Sequence, residues 1–167
     1  MDHLKEKIKK DQILKNVKCF DISAEGSGIC RTPDNIVVFV DGLVPEDIAT
    51  VKVKKVKGSY LIADIETITH YSPHRTTPFC QHFGYCGGCK WQHLSYDAQL
   101  LFKKKFVNDA LTRIGNLNFP TLQDPLKSPL TQYYRNKLEF TFSNNRWIEP
   151  EYFSKDKKEV LPALGFH

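Results

Sequence analysis

Three cysteines, Cys80, Cys86 and Cys89, fall within ten residues in the spacing C-x5-C-x2-C. Thiolates are soft donors, so three at one locus point to a zinc ion or an iron–sulfur cluster. Gly87 and Gly88 are expected to make a tight turn that lets two sulfurs face one centre without an intervening Cβ. Such centres ordinarily take four ligands, and this run supplies three. His93 extends the pattern to C-x5-C-x2-C-x3-H and would close a Cys3His zinc site of the kind found in RNA-binding zinc modules. His82 and His74 are further candidates, and a cysteine outside the chain is another. A single histidine is more often a core or surface residue than a ligand. Cys19 and Cys30 lie in strand-like sequence and are expected to be small buried hydrophobes.

A second set of residues carries charge and rings. Lys52, Lys54, Lys55 and Lys57 occupy one strand-like run with no acid between them, and Phe20, Phe39 and Tyr60 lie on neighbouring runs. Basic side chains for phosphates beside aromatic faces for bases are what a single-strand nucleic-acid surface needs. The alternative is that the aromatics fill a small core, and for Phe39 this is the favoured reading. Lys103, Lys104 and Lys105 span more than half a helical turn, so they reach phosphates or solvate a helix. The expected RNA-contacting set is Lys52, Lys54, Lys55, Lys57, Tyr60, Arg75, Lys103, Arg135 and Lys137. No Gly-rich phosphate loop, nucleophile triad or paired carboxylates can be recognised, so no catalytic residue is assigned.

The elements that would position these residues follow from periodicity. Residues 1–14 are mostly charged and read as a mobile tail. Residues 15–69 contain five short strand patterns: 17–22, 28–32, 36–40, 48–57 and 60–69. Five strands in so short a stretch predict a small OB-type barrel, with half a sandwich as the alternative. Residues 70–115 hold a proline-bearing linker, the cysteine segment and one long helix from about Ser95, its N-cap, to Ile114. Leu100, Val107, Leu111 and Ile114 are expected to form the buried face of that helix, with Phe106 and Ala110 beside it. Residues 116–167 begin with a proline-rich loop and continue into strand-like sequence at 135–142 and near Leu164, the start of an incomplete α+β domain. The fold class is therefore mainly β with one long helix.

Composition narrows the partners. The 167 residues carry a net charge of +5, concentrated in residues 70–137, which hold nine Lys and Arg against three Asp and Glu. A basic zone beside aromatics points to a polyanion, although a solvated helix face accounts for the charge equally well. No apolar run is long enough to cross a membrane, and no secretory leader is visible. Five cysteines, three of them crowded, fit a reducing compartment, so a cytoplasmic, monomeric protein is expected.

The run Cys80-x5-Cys86-Gly-Gly-Cys89-x2-Gln92-His93-x2-Tyr96-x2-Gln99-Leu100-x2-Lys103 resembles the RNA 5-methyluridine methyltransferases, which act on uracil C5 of tRNA and 23S rRNA. The preceding stretch, with Gly26, Gly28 and Phe39 to Glu46, is similar to that family's TRAM domain, an OB-type RNA-binding barrel. Ser72–Arg75 resembles the run before the family's first cysteine, and Tyr134–Lys137 and Leu164–Phe166 resemble the opening of its central domain. The resemblance implies a [4Fe–4S] cluster held by four cysteines, with Cys80, Cys86 and Cys89 matching the first three. It also implies S-adenosylmethionine as methyl donor, a catalytic cysteine adding to uracil C6 and an RNA substrate, either rRNA or tRNA. The family's donor site, catalytic cysteine and base have no counterpart in these residues. The chain thus looks like the N-terminal part of such an enzyme, expected to be inactive alone. A self-contained Cys3His zinc RNA-binding module is the competing expectation, and a metal-free protein-interaction module is a third.

Overall fold

A computed structural model describes residues 8–84, 86, 88–144 and 162–165. They form two compact units, residues 1–77 with 91–127 and residues 78–90 with 128–167.

The first unit is a closed barrel with a helix packed on it. Its strands are β1 (Ile13–Ile22), β2 (Ser27–Arg31), β3 (Val37–Asp41), β4 (Ile48–Val56) and β5 (Leu61–His70). They close in the order β1-β2-β3-β5-β4, with β3 and β5 parallel and β4 returning to β1. This is the expected OB-type barrel, not half a sandwich. Alternation dictates it: Val17, Cys19, Cys30, Val38, Val40, Val51, Val53, Leu61 and Ala63 point inward and form one core. Cys19 and Cys30 face each other across β1 and β2 inside it. Gly28 is required there, because a Cβ would lie 2.8 Å from the Leu43 carbonyl oxygen and 2.9 Å from Cys19 Sγ.

Residues 8–14, expected in the mobile tail, belong partly to the barrel. The Asp11 amide donates to the Val53 carbonyl (2.7 Å), the Val53 amide donates to the Gln12 carbonyl (2.9 Å), and Ile8 and Leu14 pack against the core. Residues 1–7 lie outside the described set.

The loop after β3 joins barrel to helix. Its two adjacent apolar residues divide: Leu43 enters the barrel core, and Val44 joins Ile22, Leu94, Ala98 and Phe102 in a second core under the helix. That helix, α1 (Tyr96–Asp109), starts at Ser95, whose hydroxyl accepts the Ala98 amide, and ends in a π-helical turn over Ala110–Ile114. Its buried face is Ala98 and Phe102, flanked by Phe106, rather than the expected Leu100–Val107–Leu111–Ile114 line. Leu100 is buried, but Val107 and Ile114 are exposed. Apolar residues are scattered over more than one face of this helix, so periodicity alone admitted two faces. Docking chose the one whose aromatic rings meet Ile22 and Val44.

Lys105 ties helix to barrel. Its Nζ lies 2.6 Å from an Asp21 carboxylate oxygen on β1 and 2.8 Å from Asp109. Burial opposes its charge, but the two carboxylates outweigh that and raise its pKa.

In the second unit, β6 (Thr141–Ser143) pairs antiparallel with β7 (Ala163–Gly165). The strand expected over 135–142 is therefore confined to its last residues, and the segment near Leu164 is its partner. Residues 145–161 and 166–167 lie outside the described set. No helix among the described residues is long and apolar enough to cross a membrane.

Candidate nucleic-acid interface and cysteine loop

The outer surface of β4 carries Lys52, Lys54 and Lys55 of the expected RNA-contacting set, and the β4–β5 turn carries Lys57 and Tyr60. On β4, Val51 and Val53 face the core, and Lys52 faces out opposite Asp64. A bulge between Val53 and Lys55 shifts the register, so Lys54 and Lys55 both lie exposed on the outside. Two consecutive strand residues ordinarily point to opposite faces, and the bulge lifts that restriction. Lys55 pairs with Ile62, which pairs in turn with Phe39. Phe39 is thus an outward residue between the inward Val38 and Val40, a correction to its expected place in the core. Its ring meets Tyr60 edge to face with centroids 5.1 Å apart. The signal was present in the alternation: one face of β3 was already filled by valines.

Charge on this face is only lightly neutralised. Lys52 lies 3.6 Å from Asp11 and Lys54 3.3 Å from Asp64, both pairs largely in solvent. Such pairs contribute about 0–1 kcal/mol and exchange readily for phosphate. Lys55 and Lys57 make no ion pair among the described residues, and Lys57 lies just past the end of β4. In the Lys103–Lys105 run, Lys104 is bound to Asp124 at 2.8 Å and Lys105 to Asp21, which leaves Lys103 as the exposed cation. Arg135 and Lys137 lie in the second unit, outside any strand. Lys137 is 2.9 Å from Glu139, and both side chains are exposed.

Arg75, expected in the RNA-contacting set, is engaged in the framework. Its Nε donates to both oxygens of the fully buried Asp47 (2.9 and 3.0 Å), and its Nη2 donates to Asp47 Oδ2 (2.7 Å) and the Gly42 carbonyl (2.6 Å). Asp47 also accepts the amides of Val44 (2.7 Å) and Ser72 (2.9 Å). Gly42 sits at φ +83°, which favours glycine. One carboxylate therefore fixes the loop after β3, the linker after β5 and the arginine at once. Asp47 was absent from the expected set, because nothing in the local sequence marks it as buried.

The linker continues this order. Arg75 and Leu94 form an isolated antiparallel bridge, the Thr76 amide donates to the His93 carbonyl (3.1 Å), and the Ser95 amide donates to the His74 carbonyl (2.8 Å). Gln99 braces the same turn, its Nε2 donating to the carbonyls of Trp91 (3.1 Å) and Leu94 (2.9 Å). The chain leaves this unit at Thr77 and re-enters at Trp91, and the cysteines lie on the excursion between.

His93 is buried in the barrel–helix unit, 4% exposed. Burial first, and the Arg75 guanidinium second, hold its imidazole below the usual pKa, while the Leu43 backbone and Asp47 act the other way. A ring placed in this framework disfavours the Cys3His zinc reading. Its depressed pKa also has a consequence for stability. Below about pH 6.5 the unfolded chain takes up a proton that the folded His93 resists, so stability falls as pH drops through that window. Urea midpoints are expected to decrease between pH 7 and pH 5.5, and His93→Gln is expected to flatten this slope. An unchanged slope in the variant would contradict the assignment.

The three cysteines of the loop form no disulfide among the described residues. Cys80 and Cys86 are partly buried and Cys89 is exposed. The Phe83 amide donates to the Cys80 carbonyl (3.1 Å), and the Cys86 amide donates to the His82 carbonyl (3.0 Å). The Gly88 amide points at Cys86 Sγ from 3.5 Å, and His82 Nδ1 lies 4.0 Å from Cys80 Sγ. Gly87, half of the expected turn, lies outside the described residues. The donor set, three accessible thiols with an amide aimed at one sulfur, fits a thiophilic centre chemically. Among the described residues, no three His, Cys, Asp or Glu side chains are gathered as a metal site.

Comparison with known proteins agrees with this architecture. Residues 15–65 match the TRAM domain family. An uncharacterized RNA methyltransferase of Porphyromonas gingivalis is 46% identical over 151 residues, 88% of this chain and 32% of that protein. A similar protein of Bacteroides thetaiotaomicron is 44% identical over 147 residues, 87% of this chain and 32% of its own length. The 23S rRNA (uracil(1939)-C(5))-methyltransferase RlmD of Polaromonas naphthalenivorans is 37% identical over 159 residues, 92% of this chain and 29% of that enzyme. The chain spans about a third of the length of these curated relatives. With a TRAM-type OB barrel leading into a cysteine loop and helix, and with relatives that match it along nearly its whole length, the chain belongs to the RNA 5-methyluridine methyltransferase family.

Proposed function

We propose that these residues capture and orient RNA for S-adenosylmethionine-dependent methylation of uracil C5 in rRNA or tRNA. The observation that carries this reading is the outward face of the barrel. There Lys52, Lys54 and Lys55 flank an edge-to-face pair of Phe39 and Tyr60. Solvated cations track a phosphate backbone, and rings offer sequence-tolerant stacking to unpaired bases. A base that is to be methylated must leave its stack, so a surface that holds RNA single-stranded serves the reaction directly. None of the residues described here is assigned a role in methyl transfer itself, so the 167 residues alone are expected to bind RNA without methylating it.

In the same reading, Cys80, Cys86 and Cys89 hold an iron–sulfur cluster together with a fourth ligand. When bound, the cluster would cross-link the loop. Support comes from the donor chemistry and from the Gly88 amide aimed at Cys86 Sγ, as amides are at cluster sulfurs. Because Arg75, Thr76, His93 and Ser95 fasten the two ends of the excursion, the barrel has its own hydrogen bonds whether or not the loop is loaded.

The test is fluorescence anisotropy of a labelled single-stranded RNA against the chain over a salt series. Binding is expected at low salt, with log K falling linearly in log salt by roughly 0.7 per phosphate contacted. Absence of binding at low salt, or affinity independent of salt, would reject the reading and favour a protein-interaction module.

A further inference from the structure

Beyond the lysine-rich strand, the barrel carries a second cationic and aromatic cluster on β1 and β2. Phe20 stands on the outer face of β1 and is 45% exposed, although its inward neighbours Cys19 and Ile22 are fully buried. The Arg31 guanidinium lies over this ring, 5.2 Å from its centroid. Arg31 is held in that pose from the β2–β3 turn: its Nη1 donates to Asn35 Oδ1 (2.8 Å) and to the Asn35 carbonyl (3.3 Å). The Cα partner of Arg31 across the sheet is Lys18, also exposed.

The charge arrangement is informative. Like charges directly opposite on antiparallel strands destabilise a sheet. Two of the outward lysines of β4 have acidic neighbours, Asp11 for Lys52 and Asp64 for Lys54. Neither Lys18 nor Arg31 makes an ion pair among the described residues, and the nearby acid of β1, Asp21, is bound to Lys105. Two adjacent cations, one of them over an exposed ring, thus lack an ion-pair partner among the described residues, and an external anion with a flat apolar face would satisfy both. The cluster also adjoins the surface already described. Ile29 on β2 pairs with Phe39 on β3 and with Asp21, the residue after Phe20, on β1, so the outward row runs from the β1 bulge beside Phe20 across to Tyr60 and Lys55. Phe20 and Phe39 are two strand spacings apart, about 10 Å, within the several-nucleotide footprint of one OB barrel.

We infer that Phe20, Arg31 and Lys18 form a second nucleotide subsite for single-stranded RNA. A base stacks on the Phe20–Arg31 platform, and Lys18 and Arg31 take the adjoining phosphate. Guanidinium planes and aromatic rings are the usual stacking partners of splayed bases. The inference rests on the RNA-capture reading, and the experiment separates the two.

The experiment is anisotropy of a fluorescein-labelled ten-nucleotide oligouridine against the full chain and the variants Phe20→Leu, Phe20→Trp and the double change Arg31→Gln with Lys18→Gln. Phe20→Leu keeps an apolar side chain at a half-exposed position and removes only the ring. It is expected to weaken binding about ten-fold with the salt slope unchanged, and Phe20→Trp to restore it. The double change Arg31→Gln with Lys18→Gln is expected to lower the salt slope by about 0.7, the share of the one phosphate they hold. If Phe20→Leu binds within two-fold of the unchanged chain while charge reversal at Lys52, Lys54 and Lys55 still abolishes binding, the subsite is overturned and the RNA-capture reading stands. If neither set of changes affects binding, both fall. Capture of a polyglutamate peptide with the same sensitivity to Phe20→Leu, and no such effect on RNA, would assign the platform to an acidic protein segment and overturn the inference.

Discussion

Replacing Asp47 with alanine is expected to lower the stability of the barrel unit by about 3–5 kcal/mol, the usual result of removing one partner from a buried ion pair. The carboxylate is fully buried and accepts from the Arg75 guanidinium and from the amides of Val44 and Ser72. Without it the guanidinium stays in a partly buried site with the Gly42 carbonyl and the Tyr71 ring beside it but no counter-charge, and two amides lose their acceptor. The expected drop in melting temperature is roughly 15 °C or more for a unit of this size. Arg75→Met should be comparably damaging, because it leaves a buried carboxylate with only neutral donors. The solvated Lys137–Glu139 pair provides the contrast, with an expected effect of about 0–1 kcal/mol on removal. Thermal denaturation followed by circular dichroism distinguishes these outcomes. An Asp47→Ala shift of no more than about 3 °C would show that the carboxylate does not organise the junction. The cysteine segment departs from and returns to this junction, so Asp47→Ala should also loosen the loop's attachment points at Thr76 and His93.

The barrel was legible because its information is local. Alternating valines on β3 and β4 specify which side faces in, and the turns at 23–27 and 57–60 separate strands of near-correct length. Register was less legible. The bulge that turns both Lys54 and Lys55 outward depends on pairing with β5, which no pattern within β4 encodes. Long-range electrostatics were not legible at all. Arg75 looked like a free cation in a basic stretch, and its partner Asp47 lies 28 positions earlier in a loop of ordinary composition. The same holds for Lys105: its partner on β1 is 84 positions away, whereas its neighbour Lys103 makes no ion pair among the described residues. The helix face failed for a different reason. The apolar residues of this helix are scattered over more than one face, so no single stripe stands out, and only the presence of Ile22 and Val44 selects Ala98 and Phe102.

Charge reversal of Lys52, Lys54 and Lys55 to glutamate is expected to have the largest functional effect, weakening single-stranded RNA binding by on the order of 100-fold or more at 50 mM salt. If the three lysines meet three phosphates, they account for about 2 in the slope of log K against log salt. Between 1 M and 50 mM that slope amounts to between two and three decades of affinity, and like-charge repulsion adds to the loss. The three positions should not contribute equally. Lys52 and Lys54 have Asp11 and Asp64 beside them, whereas Lys55 has no acidic neighbour among the described residues and adjoins the Ile62–Phe39 row. Lys55→Glu is therefore expected to be the most damaging single change. Stability should be little affected, since all three side chains lie on the outer face above a core built from Val51 and Val53. A triple variant that keeps both its affinity and its salt slope would move the RNA surface away from β4. A variant that loses affinity but keeps its slope would mean that the lysines shape the face without touching phosphate. Only a joint loss of affinity and slope, in a chain that melts where the unchanged one does, fits direct phosphate contact by this strand.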